Sequence, residues 1–287
     1  METIKHLLRY GTDSLGHIET AFLDSEVLLA HVLQKPREYI ITHGNEAIAH
    51  NDARLFTKLI SRRGMHEPVA YLTNTKAFYG RDFYVDAHVH IPRPATEDMV
   101  AAILETVPHD FSGIIADIGT GSGVIAITLA LELPNARIIA TDISTPAVLV
   151  AKKNARKHHV AEKIDFRTGD ALEPVNEPVD LLVSNPPYGW HDAWTDDKEV
   201  LFQPRESYES GADGLDAIRA LLESVPRALS EHGHAFIEYD PRQSEILTEL
   251  VPAGFYHEIK KDLSGFDRVS HLTKQKKENN TPARGRE

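Results

Sequence analysis

Apolar residues recur on two different periods along the chain, and the change of period divides it. Over residues 1–75 the spacing is helical: "DSEVLLAHVLQ" repeats apolar positions every three or four residues after Asp24, a candidate N-cap, and "NDARLFTKLISRRG" does so between Asn51 or Asp52 and a closing Gly64. The pattern predicts a bundle of short helices that packs against or recognises something. From Ala77 to Ile91, "AFYGRDFYVDAHVHI" alternates around Gly80, which predicts a β-hairpin linker over residues 76–92. Alternation along a strand accounts for His88 and His90, and with no third ligand nearby no metal site is expected.

Beyond residue 92 apolar runs and helical segments take turns: "GIIADI", "VIAITLALEL", "ARIIATD", "TPAVLVAKKNARKHH", "KIDFRTGD", "VDLLVSNPP", "GLDAIRALLESVPRAL", "HAFIEYD" and "PRQSEILTELVPA". This order predicts an α/β domain over residues 93–273, a mostly parallel sheet wound on both faces, with ligands at the carboxyl ends of the strands. The last two apolar pieces, "FYHEIKKDL" and "DRVSHLTK", are joined only by "SGF", too short a link for anything except an antiparallel pair. The polar stretch 274–287 reads as a disordered tail.

Composition narrows the function classes. A chain of 287 residues, 41% hydrophobic, suits two domains, and the absence of cysteine excludes disulfides, thiolate metal sites and a cysteine nucleophile. The longest apolar runs fall short of the roughly 20 residues that span a bilayer, and the N-terminus has no signal-peptide layout, so a soluble, cytoplasmic protein is expected. Of the net charge of -12, residues 91–273 carry -14, residues 1–90 carry -1 and residues 274–287 carry +3. An acidic catalytic region disfavours nucleic acid as a partner. The basic run "KKNARKHH" reads as a solvated helix face.

Candidate chemistry begins at "ADIGTGSGVIAITLA", where Gly119, Thr120, Gly121, Ser122 and Gly123 stand between a strand and a helix. Glycines there allow a tight turn and a close ligand approach. Asp142 follows Gly123 by 19 residues at the end of the next strand, where a carboxylate can accept both hydroxyls of a ribose, so an adenosyl cofactor is implied. Asp142 could also cap the helix starting near Thr145. Asp170 ends the third strand in "RTGDAL" and could meet the adenine amino group, with Ala171 and Leu172 as an apolar wall. Dinucleotide and S-adenosylmethionine sites share this layout.

The fourth strand separates them. In "LLVSNPPYGW" the residue Asn185 ends an apolar strand, and Pro186 and Pro187 hold the following turn rigid and extended. The Asn185 side-chain oxygen and the Pro186 carbonyl can each accept one hydrogen of a planar NH2 group, with an exposed Tyr188 ring stacked on its face. Two acceptors would raise electron density on a poorly nucleophilic amide nitrogen and relieve the charge that develops there during methyl transfer. No general base is obvious, and the proton can leave to water.

Taken together these segments resemble the HemK/PrmC family of protein glutamine N5-methyltransferases: "LDSEVLLAHVL" is similar to its helical N-terminal domain, "EPVAYLTNTKAFYGRDFYV" to its linker, and "IPRPATE", "DIGTGSG", "SNPPY", "GADGLDAIR" and "DLSGFDRV" to its later motifs. The resemblance implies a class I, Rossmann-like methyltransferase sheet of seven strands, the last antiparallel, after an α-helical bundle. It implies S-adenosyl-L-methionine as cofactor, leaving S-adenosyl-L-homocysteine, held by Gly119 through Gly123, Asp142 and Asn185, with Asp170 and Ala171 beside the adenine. Asn185, Pro186, Pro187 and Tyr188 would hold the substrate, in that family the glutamine of the GGQ motif of bacterial release factors. A ribosomal-protein glutamine and a nucleic-acid amino group are the rival substrates. Asn74, Ala77, Ala95, Gln203 and Ser210 depart from the family's usual glycine, glutamate, acidic residue, glutamate and glycine.

Overall fold

A computed structural model describes residues 2–191, 193 and 197–274, and its internal contacts divide them into two units: residues 2–91 with 197–205, and residues 92–191 with 206–274.

The first unit holds helices α1 (Ile4–Ser14), α2 (Ala21–Leu33), α3 (Arg37–Thr42), α4 (His50–Gly64) and α5 (Val69–Thr73), then strands β1 (Lys76–Phe78) and β2 (Arg81–Phe83). Ile4, Leu28, Leu29, Ile40, Phe56 and Ile60 form its core. A Cβ on Gly11 would stand 2.7 Å from Ser25 Oγ and 2.9 Å from the Phe56 ring, so α1 meets α2 and α4 closely only because that position is glycine. Asp24 is not the N-cap of α2. The helix starts three residues earlier, and Asp24 is buried in its first turn, accepting from the Thr20 hydroxyl at 2.9 Å and from Arg63 Nε at 2.6 Å. Likewise α4 begins at His50, which leaves Asn51 and Asp52 inside its first turn, where Asp52 suits the positive end of the helix dipole.

Tyr79 and Gly80, both with positive φ, make the two-residue turn between β1 and β2. The strand stops at Phe83, so His88 and His90 lie beyond it rather than along a strand, His88 in a turn where it pairs with Asp86 at 2.9 Å. What pulls the chain off the sheet is burial of Val85 and Val89, the latter fastened by the Tyr71 hydroxyl to its carbonyl at 2.6 Å. Asn74 takes the left-handed conformation at the end of α5 (φ 50°) and donates to the Val85 carbonyl, so the linker turn forms without glycine. Sequence order alone assigns 197–205 to the second domain. The ion pair of Glu199 with Arg63 (2.7 Å) and the Gln203 oxygen accepting from Ile91 N–H (3.0 Å) hold that segment in the first unit.

The second unit contains α6 (Pro94–Thr106), β3 (Ile114–Ile118), α7 (Val124–Glu132), β4 (Arg137–Asp142), α8 (Thr145–Lys157), β5 (Ile164–Thr168), β6 (Val179–Ser184), α9 (Asp216–Ala228), β7 (Leu229–Glu238), α10 (Ser244–Leu250), β8 (Phe255–Lys261) and β9 (Asp267–Lys274). The sheet runs β5-β4-β3-β6-β7-β9-β8. Pairing is parallel from β5 to β7, whereas β9 is antiparallel to both neighbours. Lys274 closes β9, and the remainder of the polar tail, 275–287, lies outside the described residues.

Ala116 and Ile118 pack with Ile218, Leu222, Tyr239 and Leu247 on the α9 and α10 side, and Asp117 between them turns to α7 on the other side. Helix α7 is buried from Val124 through Ala130, which explains a run apolar all round its circumference. No helix among the described residues is long and apolar enough to cross a membrane. The strand order reverses at β3, so the loops after β3, β4 and β6 open together at one end of the sheet, the place where ligands bind in such folds.

Candidate active site

Between β3 and α7 the backbone turns through Gly119 (φ 73°), Gly121 (φ 54°) and Gly123 (φ 83°), conformations that L side chains rarely adopt. Its N–H groups at Gly119 and Thr120 both donate to the Thr141 carbonyl at 2.9 and 2.8 Å, which pins the loop to β4. Asp117 braces it from beneath: one carboxylate oxygen accepts from the Thr120 hydroxyl at 2.7 Å and from Ala126 N–H at 3.0 Å, while the other has no partner. Complete burial pushes the Asp117 carboxyl up to about 7. Thr120 and Ser122 are buried as well, and Asn154 of α8 donates to the Ser122 carbonyl at 2.8 Å. Above Gly119 and Gly121 the space is open, since a Cβ at either would meet nothing within 4 Å.

Asp142 lies against this loop. One oxygen accepts from Gly121 N–H at 2.8 Å and the other from Ser144 N–H at 2.9 Å. Ser144, not Asp142, is the N-cap of α8, its hydroxyl accepting from Ala147 N–H. Burial raises the Asp142 carboxyl and these two hydrogen bonds oppose the rise. Each oxygen keeps a lone pair after these bonds, so the carboxylate can still accept from a vicinal diol. Asp170 is exposed, two residues past β5. Ala171 has a positive φ (42°), and its carbonyl accepts from the Thr141 hydroxyl at 3.0 Å. Thr141 therefore ties the glycine loop and the turn after β5 to one point of β4.

Asn185 leaves β6 half-buried, its Nδ2 donating to Thr96 Oγ1 at 3.0 Å. Thr96 donates in turn to Glu238 Oε2 at 2.8 Å, and the Tyr188 hydroxyl donates to Glu238 Oε1 at 3.0 Å. Tyr188 is not the exposed ring that the end of the strand suggests: it is half-buried, packed against the core under α9, and tethered by its hydroxyl. Burial and the Glu238 charge push its phenol well above the ordinary range, so it remains a donor. Burial also raises Glu238, against the pull of its two hydrogen-bond donors. Gln243 Nε2 donates to the carbonyls of Tyr188 and Asp213, both at 2.9 Å, and supports the NPPY turn from α10. Trp190 carries the Arg242 guanidinium 4.3 Å from its ring centre. Ser210 uses its hydroxyl to accept from Ala217 N–H at 2.8 Å, where glycine could only leave that helix end bare.

Sequence reasoning reached the glycine loop, Asp142 and Asn185 through Tyr188, which the structure gathers at one end of the sheet. It missed Thr96, Asn154, Glu238 and Gln243, each more than 30 positions from the residue it supports. Thr96 stands in "IPRPATE" and Glu238 ends "HAFIEYD", both visible as segments, but nothing local marks either as facing Asn185.

Residues 97–202 match the methyltransferase small domain family and residues 6–73 the PrmC N-terminal domain family. A release factor glutamine methyltransferase of Neisseria gonorrhoeae is 37% identical over 262 residues, covering 89% of this chain and 94% of that protein. A bifunctional methyltransferase of Rickettsia felis is 34% identical over 305 residues, 93% of this chain, and the chain spans 57% of that relative's length. In fold, a methyltransferase from Pyrococcus furiosus superposes with a TM-score of 0.53 at 17% identity, over 75% of this chain and 98% of that one. With identity above one third along nearly the whole length of the Neisseria protein, the chain belongs to the release factor glutamine methyltransferase family.

Proposed function

We propose that the protein transfers a methyl group from S-adenosyl-L-methionine to the side-chain amide nitrogen of a protein glutamine, the glutamine of the GGQ motif of a bacterial release factor. The carrying observation is the orientation of Asn185. Thr96 gives its one hydroxyl hydrogen to the Glu238 carboxylate, so it can only accept from Asn185; the Asn185 NH2 must point at Thr96 and its Oδ1 is the end offered outward. An outward oxygen beside the Pro186 carbonyl suits a planar NH2 group with two hydrogens to give.

The donor set of the glycine loop fits an adenosyl cofactor: open space over Gly119 and Gly121, and an Asp142 carboxylate with lone pairs to spare for a ribose. Gly119 through Gly123, Asp142 and Asn185 would hold it, with Asp170 and Ala171 beside the adenine. When bound, that cofactor supplies an electrophilic methyl group on a sulfonium. The chain's own task is alignment, which can supply about 7–11 kcal/mol of a bimolecular barrier. Asn185 and Pro186 accept the amide hydrogens and stabilise the charge that grows on nitrogen, and Pro187 and Tyr188 keep that turn from yielding. The proton then leaves to solvent. A release-factor substrate places the reaction in the cytoplasm.

The test is a transfer assay with labelled S-adenosylmethionine on a release factor, on the same factor with its GGQ glutamine changed to alanine, and on duplex DNA. Label on the intact factor alone is expected. Equal label on the altered factor, or label on DNA, would overturn the substrate.

A further inference from the structure

We propose that Glu238 is a positioning residue: acting through Thr96 and Tyr188, it sets which end of the Asn185 amide faces the substrate. The proposal rests on the glutamine-methyltransferase reading for its kinetic consequence, but its geometric content stands on the hydrogen bonds alone.

An asparagine amide is nearly symmetric in shape, and its two ends differ only in what they donate or accept. Turned over, Asn185 would present NH2 to an incoming NH2 group, two donors face to face, and the cradle would repel the substrate it is meant to hold. Nothing in the NPPY turn itself forbids that flip. The restraint comes from Glu238, fully buried at the carboxyl end of β7. Both of its oxygens accept: Thr96 donates to Oε2 at 2.8 Å and Tyr188 donates to Oε1 at 3.0 Å. With its hydrogen committed, Thr96 has only lone pairs left for Asn185, 3.0 Å away. Direction is thus passed along three side chains from different elements, β7, α6 and the turn after β6. The second arm fixes Tyr188 and hence the far end of the same turn. One carboxylate therefore holds both ends of the NPPY segment, and Glu238→Gln, which adds a donor while keeping the shape, must reverse one of the two arms.

The experiment uses the full-length protein and Glu238→Gln, Thr96→Val and Thr96→Ser. Thr96→Val keeps the volume and removes the acceptor, and Thr96→Ser keeps the hydroxyl. Expected is a fall in kcat of about 100-fold for Glu238→Gln and Thr96→Val, with the affinity for S-adenosylmethionine by calorimetry close to wild type, a lowered melting temperature for Thr96→Val because the buried Glu238 oxygen loses its donor, and recovery of both kcat and melting temperature in Thr96→Ser. If Thr96 were only packing, valine would serve as well as serine, and kcat within about threefold for Thr96→Val would overturn the proposal. A second readout needs no substrate: the side-chain amide resonances of Asn185, assigned by their loss in Asn185→Ala, are expected to be shifted and to exchange faster in Thr96→Val and Glu238→Gln, and to be retained in Thr96→Ser. Unchanged resonances overturn the positioning role even if the wild-type protein proves to methylate some other substrate, so the two readings fail separately.

Discussion

Asn154, fully buried on α8, donates its side-chain amide to the backbone carbonyl of Ser122 inside the glycine loop, 2.8 Å away. A helix 32 residues later in the chain thus reaches back and holds the glycine loop by one of its carbonyls. Asn154→Ala leaves a buried carbonyl short of a donor, at about 1–3 kcal/mol. The expected result is S-adenosylmethionine binding weakened by roughly tenfold in calorimetry, with kcat at saturating cofactor nearly unchanged. Normal affinity would show that the loop keeps its shape without Asn154.

Gly214 passes directly beneath the NPPY turn. It has φ 77°, and a Cβ there would lie 2.2 Å from the Tyr188 carbonyl oxygen and 2.7 Å from Gln243 Nε2. Gly254 has a similar backbone (φ 85°) with nothing within 4 Å of its would-be Cβ. The pair separates backbone strain from collision. Gly254→Ala is expected to lose about 1 kcal/mol in urea unfolding, and Gly214→Ala at least 2–3 kcal/mol together with most activity, because the Tyr188 carbonyl and its Gln243 bond must move. Equal losses would mean that strain alone accounts for both.

How much of this was legible follows from the range over which each feature is determined. The α/β alternation, the antiparallel last pair and the glycine loop with Asp142 are set by short-range patterning and by strand-end position, and a linear reading recovers them. Helix α2 shows where such reading stops. Asp24 has the chemistry of an N-cap, but a partner 39 residues away, Arg63, draws it inside the helix and the helix extends past it. His88 and His90 alternate like strand residues, yet Val85 and Val89 find burial off the sheet, and the strand ends at Phe83. Tyr188 was expected to be exposed because a ring after two prolines reads as a loop residue. Its tether, Glu238, is 50 positions on and leaves no trace in the local pattern.

Asp142 and Asn185 are expected to fail in different ways when changed. Asp142 holds Gly121 N–H and, in the proposed cofactor site, would also accept from a ribose, so Asp142→Ala would remove a ligand contact and loosen the loop together. Cofactor affinity should drop by about 100-fold, two charge-assisted hydrogen bonds at about 1.5 kcal/mol each, while kcat at saturation falls far less. Asn185→Ala should abolish turnover and spare most cofactor binding, since the glycine loop and Asp142 remain. Near-normal turnover in Asn185→Ala would sink the acceptor-cradle mechanism.

The acid side of the stability profile carries the last prediction. Asp117 is fully buried with one oxygen unpaired, and its carboxyl is raised from 3.8 to about 7 by that burial. A group whose pKa is higher folded than unfolded favours the native state while it is protonated in both, and that contribution is lost as pH rises through the folded value. From Asp117 alone, stability should therefore decline between about pH 4 and about pH 7, by roughly 1.4 kcal/mol per pH unit at most, and level off above. Asp117→Asn keeps the oxygen that accepts from Thr120 and Ala126 and cannot ionise. The difference in melting temperature, Asp117→Asn minus wild type, is expected to grow across that window and stay flat above it. A difference independent of pH would show that Asp117 holds its charge throughout, with the Thr120 and Ala126 hydrogen bonds outweighing burial.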